Sequence, residues 1–137
     1  MKTIGIIDKF RKRGRKVTPQ RLAVFKALEG NTSHPTAEDL HRMLTEKHPT
    51  ITLATVYQTL NILRDDGELT ELNIGGDRRH YDPDTSLHHH AVCSVCGSVS
   101  DVKGLLEIDF PDPAQDQNFD FTGYHVEFYG TCGSCRN

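Results

Sequence analysis

Two Cys-x-x-Cys turns bracket the last third of this chain, Cys93 with Cys96 and Cys132 with Cys135, and 35 residues separate the pairs. Such a turn aims two sulfurs at one ion without strain. Two turns together complete a tetrahedral shell of thiolates, with metal–sulfur distances of about 2.3 Å. The chain between them must fold back so that the turns meet. An ion there would staple a small module that has little core of its own. Zinc is the expected occupant. A pair of dithiol redox motifs and a rubredoxin-like iron site are the other chemistries these residues allow. The first ten residues, MKTIGIIDKF, lack the apolar stretch of a secretory signal. That predicts a cytoplasmic protein, in which cysteines serve as metal ligands rather than disulfides.

With 137 residues, 36% of them apolar, the chain is too apolar to be disordered throughout, and its length suits one domain or two small ones. No apolar run approaches the roughly 18 residues of a membrane helix. The formal charge of -3 hides a strong gradient. Residues 1–30 hold nine Lys or Arg against two acidic residues, whereas residues 81–137 hold two against nine. One end can face phosphate and the other cannot.

The pattern along the chain predicts four helices and then strands. Ile4, Ile7 and Phe10 suggest a first helix ending near Gly14. Thr18-Pro19 reads as a cap followed by proline in the first turn of a second helix, with Leu22, Phe25 and Leu28 as its buried stripe. Thr36 and Asp39 form a capping-box pattern ahead of Leu40, Met43 and Leu44, in a third helix ending near His48-Pro49. Thr52 caps a fourth helix closed by Asp66-Gly67. After residue 67 the period falls towards two, and Leu69–Ile74, Gly75-Gly76 and Arg79–Tyr81 read as a hairpin. This order is that of a winged helix-turn-helix module, with residues 52–65 as the recognition helix in a DNA major groove. Thr52, Thr55, Tyr57 and Gln58 belong to its polar inventory, and Arg15, Lys16, Arg21 and Arg64 are candidate phosphate contacts. Further strands are expected at His90–Cys93, Ser98–Val102 and Tyr124–Tyr129. Pro111 and Pro113 argue for a loop across 109–118.

His88, His89 and His90 run together just before the first cysteine turn. In a strand, residues two apart share a face, so His88 and His90 converge while His89 points away. With Asp82, Asp101 and His34, they give three imidazoles and two carboxylates that could surround one divalent ion. Iron(II), manganese(II) and zinc all suit such mixed ligands, and an exposed polar histidine run is the plain alternative.

The segments HPTAEDL at 34–40, LATVYQTL at 53–60, HHHAVCSVCG at 88–97 and EFYGTCGSC at 127–135 together resemble the ferric uptake regulator superfamily along the whole chain. The resemblance implies an α/β two-domain protein. An N-terminal winged helix-turn-helix domain (1–82) and a linker (83–87) would precede a small C-terminal α/β dimerisation and metal-binding domain (88–137). It implies structural zinc on Cys93, Cys96, Cys132 and Cys135. It also implies a regulatory iron or manganese ion on His34, Asp82, His88, His90 and Asp101. The expected partners are a double-stranded DNA operator and a second copy of the chain. Aspartate at both 82 and 101 resembles the peroxide-responsive members, where iron-sensing members tend to use glutamate. The implied function is therefore a peroxide-sensing, metal-dependent repressor, with hydrogen peroxide as signal and His34 or His88 as the oxidised ligand. A regulator of iron or manganese availability is the alternative, and an enzyme is not expected. The further metal site of many members is degenerate here, because Leu87 and Tyr124 stand where histidines are usual. His89, Glu107 and His125 are what remain of it.

Overall fold

The computed structural model describes residues 1–74, 76–103 and 124–136. Helix α1 spans Thr3–Lys12, α2 Pro19–Leu28, α3 Ala37–Leu44 and α4 Leu53–Asp65. Their starts follow from the caps. The Thr18 hydroxyl accepts from the Arg21 amide, with Pro19 at the first turn. Thr36 and Asp39 make a reciprocal capping box, and Thr52 accepts from the Thr55 amide. Each such cap is worth about 1 kcal/mol.

Two expectations about helix faces fail. In α1 the buried positions are Thr3, Ile6 and Phe10, while Ile4 is 85% exposed. Ile6 lies four residues before Phe10, one helical turn along the face that meets α2, where the Phe10 and Phe25 rings pack edge-on at 5.0 Å. Ile4 falls off that face. In α3, Met43 is exposed and the helix stops at Leu44, short of His48-Pro49. The buried core of the helical half joins Ile6, Phe10, Val24, Phe25, Leu28, Leu40, Val56, Leu60, Leu63 and Tyr81.

Strands β1 (Thr70–Leu72) and β2 (His80–Asp82) pair antiparallel, with Leu72 opposite His80. The hairpin expected is present, with β1 shorter than Leu69–Ile74 and β2 starting one residue after Arg79. Strands β3 (His89–Cys93), β4 (Val99–Val102) and β5 (Glu127–Gly130) form a second sheet in the order β4-β3-β5. β3 runs antiparallel to β4 and parallel to β5. A small apolar cluster of Leu72, Ile74, Val92 and Val99 joins the wing to this sheet. The result is a two-part α/β architecture, helical then strand-rich. The loop expected at 109–118 lies outside the described residues. Among the described residues, no helix is long and apolar enough to cross a membrane.

Candidate metal centres and nucleic-acid interface

The two cysteine turns meet. Cys93 ends β3, and the chain re-enters at Cys132 just beyond β5, the strand paired parallel to β3. The four sulfurs lie within 4.8 Å of one another, and those of Cys96 and Cys132 are 3.8 Å apart. A tetrahedron with metal–sulfur bonds of about 2.3 Å has edges of about 3.8 Å, so the donor set fits a zinc-sized ion. Backbone amides of Cys132 and Cys96 lower the Cys93 thiol to about 6. The neighbouring thiols of Cys132 and Cys96 push Cys135 up to about 12. The turn is built to hold thiolate charge, but without a cation it cannot hold four such charges together.

The second cluster brings together all five predicted donors, from four places in the chain. His34 comes from the turn before α3, Asp82 from the end of β2, His88 from just before β3 and His90 from its start, and Asp101 from β4. Ladder register explains part of this, because His90 stands opposite Asp101. The three Nε2 atoms converge on Asp82 Oδ2, at 3.1 Å from His34, 2.9 Å from His88 and 3.0 Å from His90. From Asp101 Oδ1 the same nitrogens lie at 2.8, 3.0 and 3.5 Å. Ligands at right angles, about 2.1 Å from one ion, would stand about 3.0 Å apart. His34, Asp82 and His90 are almost wholly buried.

Hydrogen bonds to the outer ring nitrogens orient this arrangement. His34 Nδ1 lies 3.1 Å from the Val99 carbonyl and His88 Nδ1 lies 2.8 Å from the Ser86 carbonyl. A carbonyl only accepts, so each Nδ1 carries a proton, and each Nε2 faces the centre, as a lone pair in the neutral ring or as a donor to a carboxylate in the imidazolium. A proton on each ring or one shared cation can lie between these nitrogens and the carboxylates, and the neutral rings are metal ligands. For His34, burial works against the charged form, but the Asp82 and Asp101 carboxylates outweigh it and raise its pKa. For His90, burial, joined by repulsion from His88 and His34, lowers it. Asp82 is held well below the usual carboxylate range, against burial, by hydrogen bonds from His34 and His90.

The backbone at His34 is also unusual. Its φ of 50° makes it the one non-glycine residue with positive φ among those described. A side chain in this region costs on the order of 1–2 kcal/mol.

Sequence reasoning missed how His90 is seated. Its Nδ1 lies 2.8 Å from His125 Nε2, where the other two rings meet carbonyls. The Val126 amide donates to His89 Nδ1, and His89 stacks on Tyr124. His89 and His125 therefore have partners of their own, and Glu107 lies outside the described residues. Outer contacts of this kind are set by strand pairing between distant segments, which spacing along the chain does not display.

The predicted DNA-facing residues divide into two groups. Lys16, Thr52 and Gln58 are exposed, and Gln58 lies one turn from the half-buried Thr55. Arg21 donates to the Lys16 carbonyl at 2.8 Å. The Tyr57 hydroxyl donates to Glu38 at 2.7 Å, which raises the Tyr57 pKa and lowers that of Glu38. Arg15 and Arg64 are spoken for within the chain. Arg15 pairs with Asp66 at 2.6 Å, and Arg64 with Glu71 at 2.7 Å.

A helix-turn-helix half with a wing, joined to a small sheet through a cage of cation ligands, defines a metal-responsive transcription regulator. The chain belongs to the ferric uptake regulator family, whose sequence profile matches residues 12–129. It is 34% identical to a peroxide-responsive repressor, PerR, of Staphylococcus epidermidis, over 95% of this chain and 87% of that protein. The fold is similar to PerR from Streptococcus pyogenes, a structure described in terms of peroxide sensing and gene regulation (28% identity, TM-score 0.57, covering 97% of this chain and 92% of that one). It is also similar to the ferric uptake regulator of Francisella tularensis with iron (26% identity, TM-score 0.69, covering 90% and 96%). Members of this family are regulators that bind DNA as dimers, not enzymes.

Proposed function

We propose that this chain is a metal-dependent, peroxide-sensing repressor of transcription. One regulatory iron or manganese ion, held by His34, Asp82, His88, His90 and Asp101, keeps a homodimer competent for a double-stranded DNA operator. The observation that carries this reading is the convergence of His34, from the helical half, with four donors from the hairpin and the second sheet in one largely buried cage. Zinc on Cys93, Cys96, Cys132 and Cys135 is assigned to holding the strand-rich half together. The winged-helix module is assigned to 1–82, the linker to 83–87 and the dimerisation module to 88–137.

The residues themselves account for the coupling. His34 ties the helical half to β4 through the Val99 carbonyl and to the cage through Nε2. An operator favours one spacing of the two winged helices, and a filled cage favours one orientation of each helical half. Ion and DNA then strengthen each other reciprocally, and 100-fold coupling corresponds to about 2.7 kcal/mol. Lys16, Thr52, Thr55, Tyr57, Gln58 and Arg21 are assigned to the duplex, while Arg15 and Arg64 would first have to leave Asp66 and Glu71.

Peroxide sensing is supported by aspartate at both 82 and 101 and by the Staphylococcus relative. Iron(II), when bound, would activate hydrogen peroxide beside its ligands and end in the iron(II) state, with no net electron of its own spent. His34 or His88 then gains one oxygen. In net terms a ring C–H becomes C–O, two electrons leave the ring, and peroxide is reduced to water. The altered ring no longer presents its lone pair, so the tie between the halves is lost and DNA is released. Manganese fills the cage without this reaction. The iron-bound Francisella structure supports a second reading, a regulator of metal availability that ignores peroxide.

One experiment separates them. Protein loaded anaerobically with iron(II), then treated briefly with peroxide, is digested and weighed by mass spectrometry. Its release from duplex DNA, selected for binding to the manganese form, is followed in parallel. One added oxygen on a peptide holding His34 or His88, with release only in the iron form, is the expected result. Oxygen on cysteines alone, or release independent of the ion, contradicts the peroxide mechanism.

A further inference from the structure

His34 reaches the cage from a backbone conformation that a residue with a side chain rarely adopts, and something must hold it there. The answer lies in β2. His80, in the strand that ends at Asp82, donates from its ring Nδ1 to the backbone carbonyl of His34 at 2.7 Å. The next residue, Tyr81, donates its amide to the Pro35 carbonyl at 3.0 Å, and His80 bridges Thr36 as an isolated antiparallel pair. The segment 34–36 thus lies against β2 like a fragment of a third strand. The capping box then fixes Thr36 at the start of α3.

Of these holds, the His80 ring is the one that a side chain supplies at the strained residue itself. The carbonyl it binds is that of His34, and both residues are buried. On the same strand, two residues further on, Asp82 supplies a cage carboxylate. One strand therefore sets the positions of two donors, Asp82 directly and His34 through His80. We infer that His80 is a positioning residue for the regulatory ion: it fixes the left-handed backbone of His34, so that this ring enters the cage preset. The inference rests on the proposed role of His34 as a ligand. It goes further by assigning ion affinity to a residue outside the five donors.

The ring of His80 borders a polar cleft of about 1020 Å³ between the wing and the first cysteine turn, not the helical core. His80 is not part of the apolar core of the helical half. Asparagine, whose Nδ2–H occupies about the place of the histidine Nδ1–H, can keep the bond to the His34 carbonyl; leucine cannot.

The test uses full-length protein with zinc in the cysteine site, titrated with cobalt(II) and read by the visible bands that report its ligands. Four proteins are compared: wild type, His34→Ala, His80→Leu and His80→Asn. In the leucine variant we expect cobalt(II) affinity to fall at least about 10-fold. Its bands should become those of His34→Ala, with zinc content and helical circular dichroism unchanged. The asparagine variant should regain both affinity and bands. Wild-type affinity and bands in His80→Leu overturn the inference, and so does an asparagine variant as weak as the leucine one. Equal binding by wild type and His34→Ala would instead refute His34 as a ligand. That outcome is distinct from the others because it does not involve residue 80.

Discussion

The imidazole of His34 donates Nδ1–H to the carbonyl of Val99, 65 positions away, at 3.1 Å. That bond fixes the tautomer and turns Nε2 towards Asp82 and Asp101. It also means that the same ring touches the second sheet on one side and the candidate ion on the other. A change at residue 34 therefore acts on both the cage and the contact between the halves.

Replacing His34 by alanine removes one of five donors and the only one that belongs to a helical-half turn. Manganese(II) affinity, measured by calorimetry, should fall at least about 10-fold. Operator binding should lose its dependence on manganese. Zinc content and the dimer, measured by sedimentation, should be unchanged.

The cysteine site should behave differently. In Cys132→Ser, zinc content should drop from one per chain towards zero. The melting transition should fall by on the order of 10 °C, because the ion's binding energy is folding energy for the strand-rich half. A variant that melts like wild type after losing zinc would remove the structural role.

Two basic residues should separate phosphate contact from internal pairing. Lys16→Ala should weaken DNA binding at every sequence and reduce the slope of log affinity against log salt by about 1. Arg64→Ala loses the half-buried pair with Glu71. It should lower stability by roughly 0.5–1 kcal/mol in urea melts while leaving the salt slope nearly intact.

In the helical core, Leu60→Ala empties a fully buried position and should cost about 2–5 kcal/mol in denaturant unfolding. Ile4→Ala, at an exposed position of α1, should change stability by less than about 0.5 kcal/mol. Equal losses at the two sites would mean that α1 packs by the face its sequence first suggests.

Much of this was legible in the chain before the structure. Thr18-Pro19, Thr36 with Asp39, and Thr52 mark helix starts because a capping hydroxyl and its amide lie three residues apart, well within a local reading. The alternation that sends His88 and His90 one way and His89 the other is equally local. The face of α1 was ambiguous because Ile4, Ile6 and Ile7 are all apolar, and only packing on Phe25 selects Ile6. The strand limits of the wing were less legible, because Leu69, Leu72 and Ile74 read as one strand whereas pairing with β2 stops at Leu72. The second layer of the cage was invisible for a different reason. Val99, His125 and His80 act through backbone or ring atoms brought close by tertiary folding, and no spacing rule marks them.

One ion shared by the two halves is what couples metal to DNA in this proposal. Diffraction from a manganese-loaded crystal, collected on both sides of the manganese absorption edge, tests it most directly. The predicted result is one anomalous peak ringed by His34 Nε2, His88 Nε2, His90 Nε2 and the carboxylates of Asp82 and Asp101, apart from any zinc at the cysteines. A peak held by the strand-rich half alone, with His34 turned to solvent, would contradict it.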